Sequence, residues 1–204
     1  MLWLEVLGVV SGAVCVWLAV RLSVWTFPVG LVNNACFLAM YWMAGIHANA
    51  LLQLVFAVLA VLGWTWWLRG DHGDGPLRVH RPSPRALAGV VVTTAACAAA
   101  LVALLGATTD SPTWVLDGVT TATSLGAQLM LGRKWIANWY LWILTDLLTI
   151  AMNITAGLYL TAALYALFLA MCLQGLRRWR RELHAPEPAA PTARQPVTAP
   201  GGTP

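Results

Sequence analysis

The sequence predicts an all-α membrane protein of seven transmembrane helices, arranged three plus one plus three with the two triplets as parallel repeats. Three observations predict it. The 204 residues are 59% hydrophobic and only 10% charged, with a mean hydropathy of +0.71, whereas an ordinary soluble domain is about 25% charged. Seven apolar stretches of spanning length follow one another, and the chain matches itself without gaps at an offset of 112 residues. This composition argues against a soluble enzyme, a disordered protein or a nucleic-acid binder.

A helical crossing takes about 20 predominantly apolar residues. The expected segments run from about Leu2 to Val20, Phe27 to Ala44, Ala48 to Leu68, Ala86 to Ala107, Pro112 to Leu131, Trp135 to Met152 and Ala156 to Leu176. The first lacks a basic leader and is followed by more of the same, so it reads as a span and not as a cleavable signal. The fifth is the least apolar. Its Asp117, Thr120, Thr121, Thr123, Ser124 and Gln128 must face protein or a water-filled cavity, because hydrocarbon offers them no partner. Between the third and fourth spans, residues 69–85 mix Asp71, His72, Asp74 and His80 with glycines and prolines, which reads as a solvated linker and not as a metal site. From Ala185 to Pro204 the chain is Ala, Pro, Thr and Gly with almost no large apolar residue, the composition of a disordered tail. Cys15, Cys36, Cys97 and Cys172 lack CxxC spacing and read as small core or lipid-facing residues, with no metal or disulfide role.

Charge placement sets the expected orientation. The basic residues are Arg21, Arg69, Arg78, Arg81, Arg85, Arg133, Lys134, Arg177, Arg178, Arg180, Arg181 and Arg194. Seven spans put all twelve on one side, and an even number would break the partition. The other side carries Glu5 and Asp110. The positive-inside rule then makes the C-terminus cytoplasmic and the N-terminus external.

The internal match rests on residues that a hydrophobic composition does not supply by chance. Arg21 falls on Arg133, Gly45 on Gly157, Phe56 on Phe168, Gly63 on Gly175, Trp67 on Trp179 and Arg69 on Arg181; Glu5 falls on Asp117 and Asn34 on Asp146. The organisation is therefore a first three-helix repeat (1–69), a cytoplasmic loop and linker helix (70–111), a second three-helix repeat (112–181) and a tail (182–204). Three spans alone would insert the second copy upside down. The fourth restores the orientation, giving a SWEET-like pair of parallel repeats related by an axis along the membrane normal. Folds of this kind hold substrate near the midplane at the repeat interface, so the architecture by itself points to a transporter.

Polar groups at membrane depth are the candidates for substrate contact. They are Asn33 and Asn34 in the second span, Asn49 and Gln53 in the third, Asp117, Thr121, Ser124 and Gln128 in the fifth, and Thr145, Asp146 and Asn153 in the sixth. In the sixth span Trp139, Trp142 and Asp146 stand at i, i+3 and i+7, one helical face. Two indoles and a carboxylate suit a flat aromatic ligand that carries hydroxyls or positive charge. The plain alternatives are an interfacial belt for the tryptophans and, for Asp146, a structural hydrogen bond to Asn34 of the other repeat.

Several of these residues also carry a family resemblance. Ala50-Leu51-Leu52-Gln53-Leu54-Val55-Phe56 followed by Gly63-Trp64-Thr65-Trp66 resembles the third span of the PnuC family of vitamin transporters. Gly132-Arg133-Lys134, then Asn138-Trp139-Tyr140-Leu141-Trp142, with Asp146, Gly157 and Tyr159, resembles its sixth span and the turn beyond. Pro28, Gly30, Leu31 and Asn33 resemble its second. The resemblance implies a homotrimeric inner-membrane carrier of nicotinamide riboside, working by facilitated diffusion with a cytosolic kinase trapping the vitamin, and some relatives take riboflavin or thiamine. Carried over by position, Gln53, Trp139 and Trp142 are ligand contacts. Asp146 departs from the riboside branch, which often has Asn there, and Asp also occurs among riboflavin-type relatives. The expected site is Asn34, Gln53, Thr121, Gln128, Trp139, Trp142 and Asp146, with no cofactor, no metal and no catalytic residue. The alternatives are a riboflavin or thiamine carrier of the same fold, or a membrane scaffold that transports nothing alone.

Overall fold

Seven α-helices run in chain order: α1 (Leu2–Val20), α2 (Thr26–Met43), α3 (His47–Arg69), α4 (Pro84–Thr108), α5 (Trp114–Gly132), α6 (Asn138–Thr155) and α7 (Tyr159–Leu183). The structure, a computed structural model, describes residues 2–70, 77–109 and 112–185. His72, Asp71, Asp74, Asp110 and the tail from residue 186 lie outside the described residues. Three helices, α3, α4 and α7, are long and apolar enough to cross a bilayer on length and composition alone. The other four have 18 or 19 residues. At 1.5 Å per residue they are about 27–29 Å long, close to the roughly 30 Å of a hydrocarbon core, and their polar side chains are turned largely toward other helices.

Element ends differ from the expected segments for local reasons. α4 starts at Pro84 because Ser83 caps it, its hydroxyl accepting from the Ala86 N–H at 3.2 Å, with proline at the first turn where no amide is needed. α6 starts at Asn138 and not at Trp135, because Lys134 adopts a left-handed φ of 51° and the Trp135 amide bonds back to Met130. α7 continues past Leu176 to Leu183 through Arg and Leu residues that favour helix although the apolar run has ended.

The helices pack as a ring with one outlier. Consecutive helices pack within α1–α2–α3 and within α5–α6–α7, the triplets meet where α3 lies on α5 and where α1 lies on α7, and α4 touches only α5. Shifting by 112 residues turns the α3–α5 seam into the α7–α1 seam. One interface is thus used twice, as a two-fold relation between the repeats requires. The two middle helices, α2 and α6, do not pack against each other.

Local geometry repeats in the same register. Helices α2 and α6 have matching ends, and Leu22 (φ 59°) pairs with Lys134 (φ 51°) as the only described non-glycine residues of positive φ. Gly45 and Gly157 both have φ 74°, a left-handed turn that glycine adopts without Cβ strain. The Trp67 indole donates to the Leu131 carbonyl at 3.1 Å, and the Trp179 indole to the Ala19 carbonyl at 3.0 Å. Phe27 meets Trp67 edge-on at 5.1 Å, and Trp139 meets Trp179 edge-on at 5.4 Å. Gly63 and Gly175 make room for those rings: a Cβ at Gly63 would come within 2.6 Å of Phe27, and one at Gly175 would overlap the Trp139 indole.

Candidate functional site

Four stripes, one on each of α2, α3, α6 and α7, stand at matching positions in the two repeats. On α3 the stripe is Ala50, Gln53, Ala60 and Trp67; on α7 the equivalent stripe is Ala162, Tyr165, Cys172 and Trp179. Their spacings of three and seven keep each set on one helical face, and every member except Gln53 and Tyr165 is buried. On α2 the stripe is Phe27, Asn34 and Tyr41; on α6 it is Trp139, Asp146 and Asn153, all three buried. The apolar ends of these stripes gather into one buried cluster that includes Phe27, Trp67, Leu131, Trp139, Cys172, Leu176 and Trp179. That cluster lies at the Arg-rich end of the bundle. The polar members lie farther in. Asn34 and Asp146 each stand eight residues into their helices, about 12 Å from the start.

Each expected site residue has a definite place. Asp146 is 4% exposed. Its carboxylate accepts a hydrogen bond from the Cys172 thiol at 3.3 Å, its only donor among the described residues. The alternative bond to Asn34 is not formed, since α2 and α6 do not meet. Trp142 is half-buried against the aromatic cluster. Trp139 is 1% exposed, clamped between Gly175 and Trp179, and its indole N–H has no acceptor among the described residues. It therefore belongs to the packed Arg-rich end rather than to an interfacial belt. Thr121 and Gln128 share a stripe of α5 with Asp117 and Ser124, spaced i, i+4, i+7 and i+11. Thr123 instead faces α6, bonded to the Thr145 hydroxyl at 2.8 Å. Asn33 is structural: its amide donates to the Gly8 carbonyl at 2.6 Å and fastens α2 to α1. Asn49 is exposed at the far end of α3.

Asn34, Gln53, Thr121 and Gln128 are all half-buried, and among the described residues none has a side-chain hydrogen-bond partner. Buried amides and hydroxyls normally find one, and hydrocarbon cannot provide it. Two further residues belong with them. Tyr165 falls on Gln53 under the 112-residue offset, lies within electrostatic reach of Tyr41 and Asp146, and also has no hydrogen-bond partner among the described residues. Cys172 falls on Ala60 and supplies the thiol that Asp146 uses. The internal repeat alone flags Tyr165, because it stands where the other copy carries a candidate ligand residue.

The arrangement agrees with what the chain is similar to. It is 23% identical to the nicotinamide riboside transporter PnuC of Escherichia coli, over 87% of this chain and 84% of that protein. It is 27% identical to the riboflavin/roseoflavin transporter RibM of Streptomyces davaonensis, again over 87% and 84%. The crystal structure of the vitamin B3 transporter PnuC aligns with a TM-score of 0.69 at 21% identity, over 89% of this chain and 82% of that one, which speaks for the fold. The profile described as nicotinamide mononucleotide transporter matches residues 2–181, all seven helices except the last residues of α7. The chain is therefore a member of that family, a multi-pass membrane vitamin transporter and not an enzyme.

Proposed function

We propose that the protein takes up nicotinamide riboside by facilitated diffusion, binding it between the two repeats. The carrying observation is that Asn34, Gln53, Thr121 and Gln128 are uncommitted polar groups at membrane depth among the described residues, and that the same bundle holds a buried carboxylate, Asp146, whose only described donor is a thiol. A buried carboxylate is costly without a charge partner. The pyridinium of nicotinamide riboside is such a partner, and its amide and ribose hydroxyls complement the side-chain amides of Gln53 and Asn34. Trp142 supplies an aromatic edge for the ring, with Trp139 beneath it. The Arg-rich end faces the cytoplasm by the positive-inside rule, which makes the N-terminus external. The carrier works as a homotrimer in the inner membrane, as the PnuC resemblance implies.

Riboflavin is the second reading, supported by the 27% identity to a riboflavin/roseoflavin transporter. The PnuC resemblance implies that the riboside branch often has Asn at the position of Asp146, and a carboxylate also accepts hydrogen bonds from ribityl hydroxyls. Quenching of the tryptophans of purified protein, titrated in parallel with nicotinamide riboside, riboflavin and thiamine, tests both. Saturable quenching by the riboside alone, followed by riboside entry into liposomes that contain only this protein, is the expected result. Selective binding of riboflavin would move the chain to that branch, and binding without flux would favour a scaffold.

A further inference from the structure

Trp67 and Trp179 are each other's counterparts in the two repeats, and their rings lie 6.1 Å apart. Two equivalent residues in contact must straddle the axis that relates the repeats, which is where the proposed function places the solute. Each indole is also fastened to the opposite repeat. Trp67 on α3 donates to Leu131 at the end of α5, and Trp179 on α7 donates to Ala19 at the end of α1. Phe27 and Trp139 wedge in edge-on behind them, giving an unbroken row of four rings across the bundle.

We propose that this row is the gate of the Arg-rich end, with the Trp67–Trp179 pair as its plug and the two reciprocal indole bonds as its latches. The proposal rests on the transporter reading above but not on which vitamin is carried. A strap reinforces the gate from outside. Residues 77–80 run beside the α5–α6 turn, where the His80 amide donates to Lys134 and the Ile136 amide donates to His80. Lys134 donates to the Leu77 carbonyl at 2.6 Å and lies 4.2 Å over the Trp67 ring. Leu77 and Val79 pack on the same aromatic cluster.

One feature of the closed state favours movement. The Trp139 indole N–H and the Asn138 side-chain amide oxygen, adjacent at the start of α6, are buried without partners among the described residues. In the first repeat the position of Asn138 is Thr26, which exchanges bonds with Cys15. The residue matching Cys15 is Ala127, which lacks the thiol that completes the exchange in the first repeat. Buried orphans of this kind disfavour the state that contains them. Opening at the start of α6 would return both groups to water, so the second repeat is the one poised to move.

Cys172 reports on the gate. It is buried seven residues inward from Trp179 on the same face of α7, about 10 Å deeper. In full-length protein with Cys15, Cys36 and Cys97 replaced by Ala, a membrane-impermeant maleimide is applied from the Arg-rich side of proteoliposomes. Trp67→Phe/Trp179→Phe keeps rings at the plug and removes both latches. Cys172 should then label at least tenfold faster, while Trp66→Phe, whose ring stacks outside the plug under Arg133, should leave the rate unchanged. Unchanged labelling in the folded double variant, or equal acceleration by Trp66→Phe, overturns the gate. If the double variant does not fold, Trp179→Phe alone should accelerate labelling at least threefold, and no acceleration overturns the gate equally. The readout needs no ligand, so it stands or falls apart from the vitamin assignment.

Discussion

The two repeats share a backbone but not a chemistry. Positions that are apolar or small in the first copy are polar or aromatic in the second: Val9 becomes Thr121, Val16 becomes Gln128, Gly30 becomes Trp142, and Ala60 becomes Cys172. Asn34 becomes the acid Asp146, and Gln53 becomes Tyr165. The reverse asymmetry holds for satisfaction of buried groups, since Thr26 is paired in the first copy and Asn138 keeps an unpaired oxygen in the second. A two-fold frame closes on itself, and the buried acid, the added polar side chains and the unsatisfied buried groups stand in its second half. The first repeat is the better-satisfied partner against which the second is set.

The sharpest way to break the comparison is at the matched glycines. Gly63 and Gly175 do the same work for rings of different size, and at both a Cβ cannot be accommodated without displacing an aromatic ring. Overpacking of this kind costs about 1–3 kcal/mol and sometimes more. Gly175→Ala should lose most of the monodisperse folded protein. Gly63→Ala should lose less, because Phe27 is smaller than Trp139. Size-exclusion yield and thermal midpoint check this, and Trp139→Leu should recover part of the loss at Gly175 but none at Gly63. Equal losses at the two sites would mean that the ring size opposite the glycine does not matter.

A second substitution makes the repeats alike at their most different pair. Asp146→Asn gives both middle helices an amide at that depth. It should weaken a cationic riboside tenfold or more, about 1.4 kcal/mol per decade, and weaken neutral riboflavin by less than threefold. Parallel titrations measure both, and an equal effect on the two ligands would remove charge from the recognition. A third, Trp142→Gly, copies Gly30 into the second repeat. The Trp142→Ala form is the safer measurement, since glycine also loosens a helix. It should cost roughly 1–3 kcal/mol of binding if the ring stacks on the ligand, by analogy with bases stacked on aromatic side chains. Unchanged affinity in folded protein would take Trp142 out of the site.

Much of the frame was legible in the sequence because rare residues mark it. Gly45, Gly157, Trp67, Trp179, Arg21 and Arg133 stand out against an Ala- and Leu-rich background, and the turns and latches they build repeat in the same register. The site was legible only in part. Asn34, Gln53 and Asp146 announce themselves as polar groups at membrane depth. Trp139 reads on a helical wheel as part of an open ligand face, yet it packs under Trp179 because Gly175 leaves a hollow for it. No wheel of α6 alone contains that hollow, which lies on another helix. The repeat did contain it, since an aromatic faces a glycine in both copies. The strap was illegible for a different reason: a single bridge between His80 and the turn at Trp135 has no periodicity to detect.

The smallest expected effect concerns the matched left-handed turns. The first copy places Leu22 there and the second Lys134, at nearly the same φ. Burial lowers the Lys134 ammonium from 10.5 to about 8, and nearby Glu182 offsets part of that shift. Between these values the unfolded chain binds more protons than the folded one. Stability should therefore rise with pH across that window as the buried charge is released, the opposite of a lysine held by a strong acid. Lys134→Leu copies the first repeat's turn into the second. It forgoes the contact over Trp67, worth about 0.5–1 kcal/mol at such partly exposed sites, and the bond to Leu77, but it also removes the titration. Other groups that ionise in this range are common to both proteins, so the difference isolates the lysine. The thermal midpoint of the parent relative to Lys134→Leu should climb from pH 7.5 to pH 10. A difference that stays flat with pH would show that the lysine keeps its ordinary affinity for the proton, and that this turn is as neutral a joint in the second repeat as in the first.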